Sequence, residues 1–348
     1  MTSILRGTLA ALAYTSTVWL AATPAAADGY ETCAKASGDE AIAACARAID
    51  SGRYGGRQLA ALFNNRCSEW NGKQESDKAI ADCNQAIGLN PDYAMAFFNR
   101  GNAYFAKGQY DRAIEDYNQA VRLDPNHALA FNNRGNTYNN KGQYDRAIED
   151  YNQTIRLNPN RADPFYNRGI AYGAQGQYER AIENFNQAIR LDPNHADAFY
   201  NRGIAYKAKG QYDRAIEDYD QTIRLDPNYA NAFNNRGNIY NAEGQYDRAI
   251  EDFSQAARLN PNHAEVFNNR GTAHNAKGQY DRAIEDFNQA IRLDPNQATA
   301  FYNRGFSWER KNDLQRALAD YQKFSELAPS DPDGRKCVER VTKALSGR

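Results

Sequence analysis

The sequence predicts an all-α solenoid of helix–turn–helix units, and three observations carry that prediction. A phrase close to GQYDRAIEDYNQA returns along most of the chain. Its glycine falls at Gly108, Gly142, Gly176, Gly210, Gly244 and Gly278, spaced 34 residues apart. Phe63, Phe97, Phe131, Phe165, Phe199, Phe233, Phe267 and Phe301 keep the same interval. Eight units therefore tile 60–331, as 60–93, 94–127, 128–161, 162–195, 196–229, 230–263, 264–297 and 298–331. The third observation is helical spacing of apolar residues inside each copy, with no segment alternating at the strand period of two. Such an array grows by adding units to one continuous core, so 348 residues need not mean several domains.

Each element of a unit has its own local reason. In 94–127, Phe97, Gly101 and Tyr104 fall at i, i+4 and i+7, and Ala113, Tyr117 and Ala120 repeat that spacing. Each set forms one apolar stripe on a helix. Gly108 between them suits the left-handed residue that closes a helix. Asp111 opens the second helix, where a carboxylate meets the positive end of the dipole. Asp124-Pro125-Asn126 ends the unit, because proline cannot continue a helix interior. Outside the array, 28–59 reads as a degenerate helix pair around Gly38-Asp39 and a flexible joint, Arg53 to Arg57. The tail 332–348 presents Val338, Val341 and Leu345, a stripe suited to a capping helix.

Residues 1–27 differ in kind. Arg6 supplies one positive charge, an apolar stretch follows from Leu9 to Ala22, Pro24 breaks it, and Ala25-Ala26-Ala27 offers a small-residue cleavage site. This pattern predicts a secretory signal peptide cut after Ala27, an uncleaved anchor being the alternative. The expected location is periplasmic or secreted, with no membrane span after cleavage. The full chain carries a net charge of -1, and the part after the leader -2. That balance argues against a nucleic-acid partner, which asks for a basic face.

The repeat resembles the tetratricopeptide repeat. That family has an aromatic at position 4, Gly at 8, Tyr at 11, Ala at 20, an aromatic at 24, Ala at 27 and Pro at 32. In 94–127 these are Phe97, Gly101, Tyr104, Ala113, Tyr117, Ala120 and Pro125. The resemblance is to its exported bacterial type and implies a right-handed superhelical solenoid. Departures concentrate at the ends: Cys67 and Cys83 stand at positions 8 and 24 of the first unit, and Asn312 at the turn glycine of the eighth.

Five cysteines are present. Cys67 and Cys83 lie symmetrically about the turn of the first unit, so an antiparallel helix pair apposes them. Cys33 and Cys45 are placed likewise about Gly38-Asp39. The expected disulfides are Cys33–Cys45 and Cys67–Cys83, each stabilising by roughly 2–4 kcal/mol; buried free thiols are the alternative. Cys337 is left over. His127, His195 and His263 share one slot two units apart, and His274 replaces a core tyrosine. No paired nucleophile and base, phosphate loop or metal-ligand spacing is visible, so no catalytic residue, metal or cofactor is expected. Carboxylates such as Glu115-Asp116 recur in most units and read as helix faces and salt-bridge partners.

Two rows stand out on the first helices. Position 7 is arginine in every unit, from Arg66 through Arg304, and is expected to meet Asp116 and its counterparts on the second helix. Position 6 is always asparagine: Asn65, Asn99, Asn133, Asn167, Asn201, Asn235, Asn269 and Asn303. Position 5 alternates amides with aromatics, namely Asn64, Phe98, Asn132, Tyr166, Tyr200, Asn234, Asn268 and Tyr302. In the family the first helices line a concave groove that positions 2, 5, 6, 9 and 12 reach. The row resembles the asparagine ladder of the array in O-linked N-acetylglucosamine transferases, whose amides hold peptide backbone. An amide offers two donors and an acceptor, matching both halves of a peptide group. Position 5 is never lysine, which argues against a clamp for a terminal carboxylate. The resemblance thus implies a non-catalytic scaffold holding an extended peptide or partner protein in the groove. An assembly factor that stacks through its ends or convex face is the alternative, and a cell-envelope hydrolase has the least support.

Overall fold

The computed structural model describes residues 27–347, so the leader reading of 1–27 lies, apart from Ala27, outside the described residues. Those residues form nineteen helices and no strand. A short pair, Ala27–Lys35 and Gly38–Asp50, precedes eight hairpins. The first hairpin is Gly56–Gly72 with Ser76–Leu89, the second Ala94–Ala106 with Tyr110–Leu123, and the last Ala298–Arg310 with Leu314–Leu327. Pro332–Ser346 closes the chain. The chain divides into two units, one ending at Gly176 and one beginning at Gln177.

The joint is shorter than expected. Gly56 and Arg57 belong to the first helix of the array, which starts four residues before position 60. Leu59 and Leu62 explain the extension, because both pack against Cys33, Cys45 and Ala48 of the N-terminal pair.

Turn chemistry follows the glycines. Gly108 sits at φ +71°, its N–H donates to Phe105 O, and the Gln109 N–H donates to Tyr104 O, both at 2.9 Å. This double bond pattern satisfies the last carbonyls of the first helix. Gln74 and Asn312 hold the same left-handed conformation in the first and last repeats, at φ 61° and 63°. Between repeats, Asp124 Oδ1 accepts from Asn126 N at 3.0 Å and fixes the turn around Pro125.

Inside a hairpin the contact is glycine on ring. A Cβ added to Gly101 would lie 2.7 Å from Tyr117 Cε1, and one on Gly135 would lie 2.8 Å from Tyr151 Cε1. Only a bare backbone lets the aromatic of the second helix approach so closely. In the first repeat that contact is replaced outright, since Cys67 and Cys83 form a disulfide at those two positions, with Cα atoms 5.6 Å apart. Cys33 and Cys45 form the second, at 4.7 Å. Cys337, on the last helix, is a buried free thiol packed toward Tyr302.

The buried tyrosines supply a test of which polar groups matter. Tyr117 and Tyr151 donate their hydroxyls to Asn102 and Asn136, each at 2.8 Å. At the same place in the fifth repeat Ile204 replaces the asparagine, and the Tyr219 hydroxyl is buried with no hydrogen-bond partner. Tyr117→Phe is expected to lose about 1 kcal/mol in urea denaturation, while Tyr219→Phe is neutral or gains about 1–2 kcal/mol. Equal losses from both substitutions would rule out the hydroxyl's pairing as the cause.

Candidate functional site: the first-helix face

Within each unit the first helices of neighbouring repeats touch one another, and each second helix packs between its own first helix and the next one. First helices therefore form the inner layer of each unit, the arrangement that makes a concave side. The accessible part of a first helix is a single stripe at positions 2, 6, 9 and 13. In the fifth repeat, Asp197, Ile204 and Ala208 are exposed and Asn201 half-buried, while Ala198, Gly203 and Ala205 face inward.

Position 6 lies on that stripe, but its amides are already at work. Asn99 Nδ2 donates to Asn64 Oδ1 and Asn133 Nδ2 to Asn102 Oδ1, both at 2.9 Å. Asn167 donates to Asn132 at 3.4 Å, Asn235 to Tyr200 Oη at 2.9 Å, Asn269 to Asn234 at 3.3 Å and Asn303 to Asn268 at 3.1 Å. Asn201 Nδ2 donates to the carbonyl of Asp197 at 2.8 Å. Within each unit a hydrogen-bonded rail thus joins neighbouring first helices, with position 5 or 9 accepting, while Asn201 turns back to its own helix. Asn99 and Asn133 are buried by it; Asn65, Asn167, Asn201, Asn235, Asn269 and Asn303 stay half-exposed.

The aromatics of position 5 point inward instead of lining an open groove. Phe98 is buried, its ring 6.1 Å from Tyr117 and 4.7 Å from His127. Tyr166 is buried as well. Tyr200 packs on Tyr219 and Tyr229, and burial pushes its hydroxyl up to about 12. Tyr302 packs on Tyr321 and Phe324. The expected contribution of these rings to a ligand surface is corrected accordingly: the position-5 side chain leans toward the second helix of its own hairpin, where ring-on-ring packing covers it.

The arginine row is pinned. Arg134 forks onto Asp150, Nε to Oδ2 at 2.8 Å and Nη2 to Oδ1 at 2.6 Å, and Nη1 reaches Asn118 Oδ1 of the preceding repeat at 2.7 Å. The guanidinium also lies 5.4 Å from the centre of the Phe131 ring. Arg100, Arg202, Arg236, Arg270 and Arg304 repeat the fork with Asp116, Asp218, Asp252, Asp286 and Asp320. One side chain thus ties three helices, and these guanidiniums are not presented to an outside anion.

Much of what differs between the inner repeats lies on the open stripe or beside it at position 12, although the inward-facing position 5 varies as well. Second helices are near-copies, YDRAIEDYNQAVRL in one repeat and YDRAIEDFNQAIRL in another. Position 2 runs from Met95 and Leu129 to Asp163, Asp197 and Glu265; position 9 from Asn102 to Ile204 and Phe306; position 12 from Phe105 to Lys207. The family pattern carries these positions into the groove and the sequence adds Asn102 of position 9 to the asparagine row, but the variation among copies at positions 2 and 12 was not read as a binding signal.

Among the described residues no group of three His, Cys, Asp or Glu side chains is placed to hold a metal ion, and no helix is long and apolar enough to cross a membrane. Family models described as "TPR repeat" match 73–108, 101–142, 135–176, 171–210 and 271–312, and models described as "Tetratricopeptide repeat" match 196–229, 230–263 and 253–285. No curated protein matches the chain. The C-terminal part of a TPR repeat-containing protein from Cytophaga hutchinsonii is similar at 21% identity and TM-score 0.57, over 69% of this chain and 99% of that one. A tetratricopeptide repeat protein from Parabacteroides merdae is similar at 19% identity and TM-score 0.53, over 72% and 98%. YrrB, described as a TPR protein with an unusual peptide-binding site, is 26% identical with TM-score 0.46, over 56% and 97%.

Proposed function

Because the chain belongs to the tetratricopeptide repeat family, we propose that it is a non-catalytic scaffold that holds an extended polypeptide on the first-helix face of its repeats. The observation that carries this reading is the contrast between a copied framework and a varied stripe. The turn residues, the arginine fork and the second helices of the inner repeats are repeated almost unchanged, while positions 2, 9 and 12 differ from copy to copy on or beside the inner, accessible side. Side chains that are free to vary in a duplicated array are those that do not hold it together. On that face Asn167, Asn235, Asn269 and Asn303 give up an N–H to the neighbouring repeat and keep a carbonyl oxygen that can accept from a peptide N–H. End-to-end stacking is less well supported, because the outer face of Pro332–Ser346 carries exposed Arg335, Lys336, Glu339, Arg340 and Lys343.

A secretory leader cut after Ala27 and an oxidising compartment complete the proposal. Two disulfides in the N-terminal hairpins support it, since such bonds persist outside the cytosol. N-terminal sequencing of the exported protein checks the cut.

Selection of displayed random peptides on the immobilised protein tests the scaffold reading. Asn235→Ala with Asn269→Ala is expected to weaken the enriched peptides about tenfold or more, two charge-neutral hydrogen bonds being lost. Asn235→Asp with Asn269→Asp keeps the acceptor and is expected to retain more affinity. Unchanged affinity in the alanine variant, with helicity intact, would reject the rail as the site.

A further inference from the structure

Lys207 is the odd residue of the varied stripe. It is the single lysine among the eight copies of position 12. It lies on the helix Ala196–Ala208, one turn beyond Ile204, whose side chain is 37% exposed. Unlike Lys209 on the same helix end, which pairs with Glu179 at 2.6 Å, Lys207 makes no hydrogen bond and no ion pair among the described residues. It is nevertheless half-buried, and burial pulls its ammonium below the ordinary lysine value. Glu265, two repeats further on, is the one carboxylate that acts on it, from beyond contact distance. Its place on a first helix, one turn from the exposed Ile204, sets it beside the open stripe of its unit. The next first helix carries amides at positions 6, 9 and 12, Asn235, Asn238 and Asn241, and the Asn241 side-chain carbonyl is buried without a partner.

A half-desolvated ammonium with no counter-charge in contact is a destabilising arrangement for the free chain, and an incoming carboxylate relieves it. Ile204 beside it provides an apolar contact at one helical turn, about 5–6 Å away. In an extended peptide, side chains two residues apart lie on one face and are separated by about 6–7 Å. The two spacings match. We propose that Lys207 and Ile204 form a specificity subsite that takes an internal acidic side chain, Asp or Glu, set two residues from an aliphatic one in the bound polypeptide. This rests on the peptide-holding reading above and adds the sequence preference of the ligand.

The experiment uses the full exported chain with its disulfides intact and a library of short random peptides displayed as internal loops, so that no terminal carboxylate is present. Wild type is expected to enrich peptides with Asp or Glu two residues from Ile, Leu or Val. Lys207→Glu is expected to turn that preference to Lys or Arg. For a synthetic, C-terminally amidated peptide of the enriched sequence, Lys207→Gln is expected to lower affinity about tenfold, a loss that shrinks as salt rises, while Lys207→Arg restores most of it. Enriched peptides without an acidic preference, or a preference that ignores Lys207→Glu, overturn the subsite and leave the scaffold reading standing. No enrichment by wild type at all overturns both.

Discussion

Arg134→Leu is expected to cost about 3–5 kcal/mol of stability in urea denaturation, the loss typical of stripping one partner from a buried ion pair. The asymmetry of the pair sets the size. Asp150 is almost wholly buried, at 4% exposure, and Arg134 supplies both of its charge-assisted bonds. Removing the guanidinium leaves that carboxylate in the hairpin interior without a counter-charge. It also releases Asn118 of the preceding repeat, so the seam between two repeats loosens together with the hairpin. Burial already pushes the Asp150 carboxyl up, and Arg134 is what opposes it. Without the arginine the folded-state value rises further above the unfolded one. The folded variant then binds a proton more readily than the unfolded chain, so its stability falls as pH rises through the shifted value and recovers in mild acid. Arg134→Met with Asp150→Leu removes both charges and is expected to regain most of the loss at neutral pH. A single variant as stable as wild type at pH 7 would show that the fork is ornamental.

The same fork was legible in the sequence. Position 7 and the acid of the second helix were visible as a repeated pair, and their pairing followed from hairpin geometry alone. The turn glycines and the cysteine pairs were legible for a similar reason: each depends on contacts within one hairpin, fixed by helix period and turn position; the capping helix showed in its own apolar stripe of Val338, Val341 and Leu345. The asparagine row was harder. Helical period puts Asn99 and Asn133 on the inner stripe, but whether such an amide is open depends on how one repeat leans on the next. That angle is set by the sum of contacts between repeats, not by a motif. Phe98 and Tyr166 were misplaced on the same account, because position 5 borders both the stripe and the second helix. Lys207 and Ile204 stand out only when the copies are compared with each other and the framework positions are set aside.

The disulfide of the first repeat leads to the second large effect, and the other repeats say how to replace it. Cys67 and Cys83 are separated by 16 residues, so cross-linking them restricts the unfolded chain by about 3 kcal/mol. Cys67→Ala with Cys83→Ala is expected to lose that amount and somewhat more, since two methyl groups also underfill the space that a ring takes elsewhere. A better substitute is present in the chain. In the eighth repeat Gly305, Trp308 and Tyr321 occupy positions 8, 11 and 24, and a Cβ on Gly305 would lie 3.1 Å from the Tyr321 ring. The first repeat already has its tryptophan, Trp70, packed against the cysteines. Cys67→Gly with Cys83→Phe therefore rebuilds a packing that tolerates tryptophan, and phenylalanine avoids burying a hydroxyl opposite Ser68. That variant is expected to recover part of the loss of the alanine pair, through apolar burial and not through restriction of the unfolded chain. Urea denaturation with and without reductant separates the two contributions. Wild type should be weakened by reductant through both disulfides, the Gly/Phe variant only through Cys33–Cys45. If the Gly/Phe variant is no more stable than the alanine pair, the glycine-on-ring contact does not stabilise the hairpin as its geometry implies.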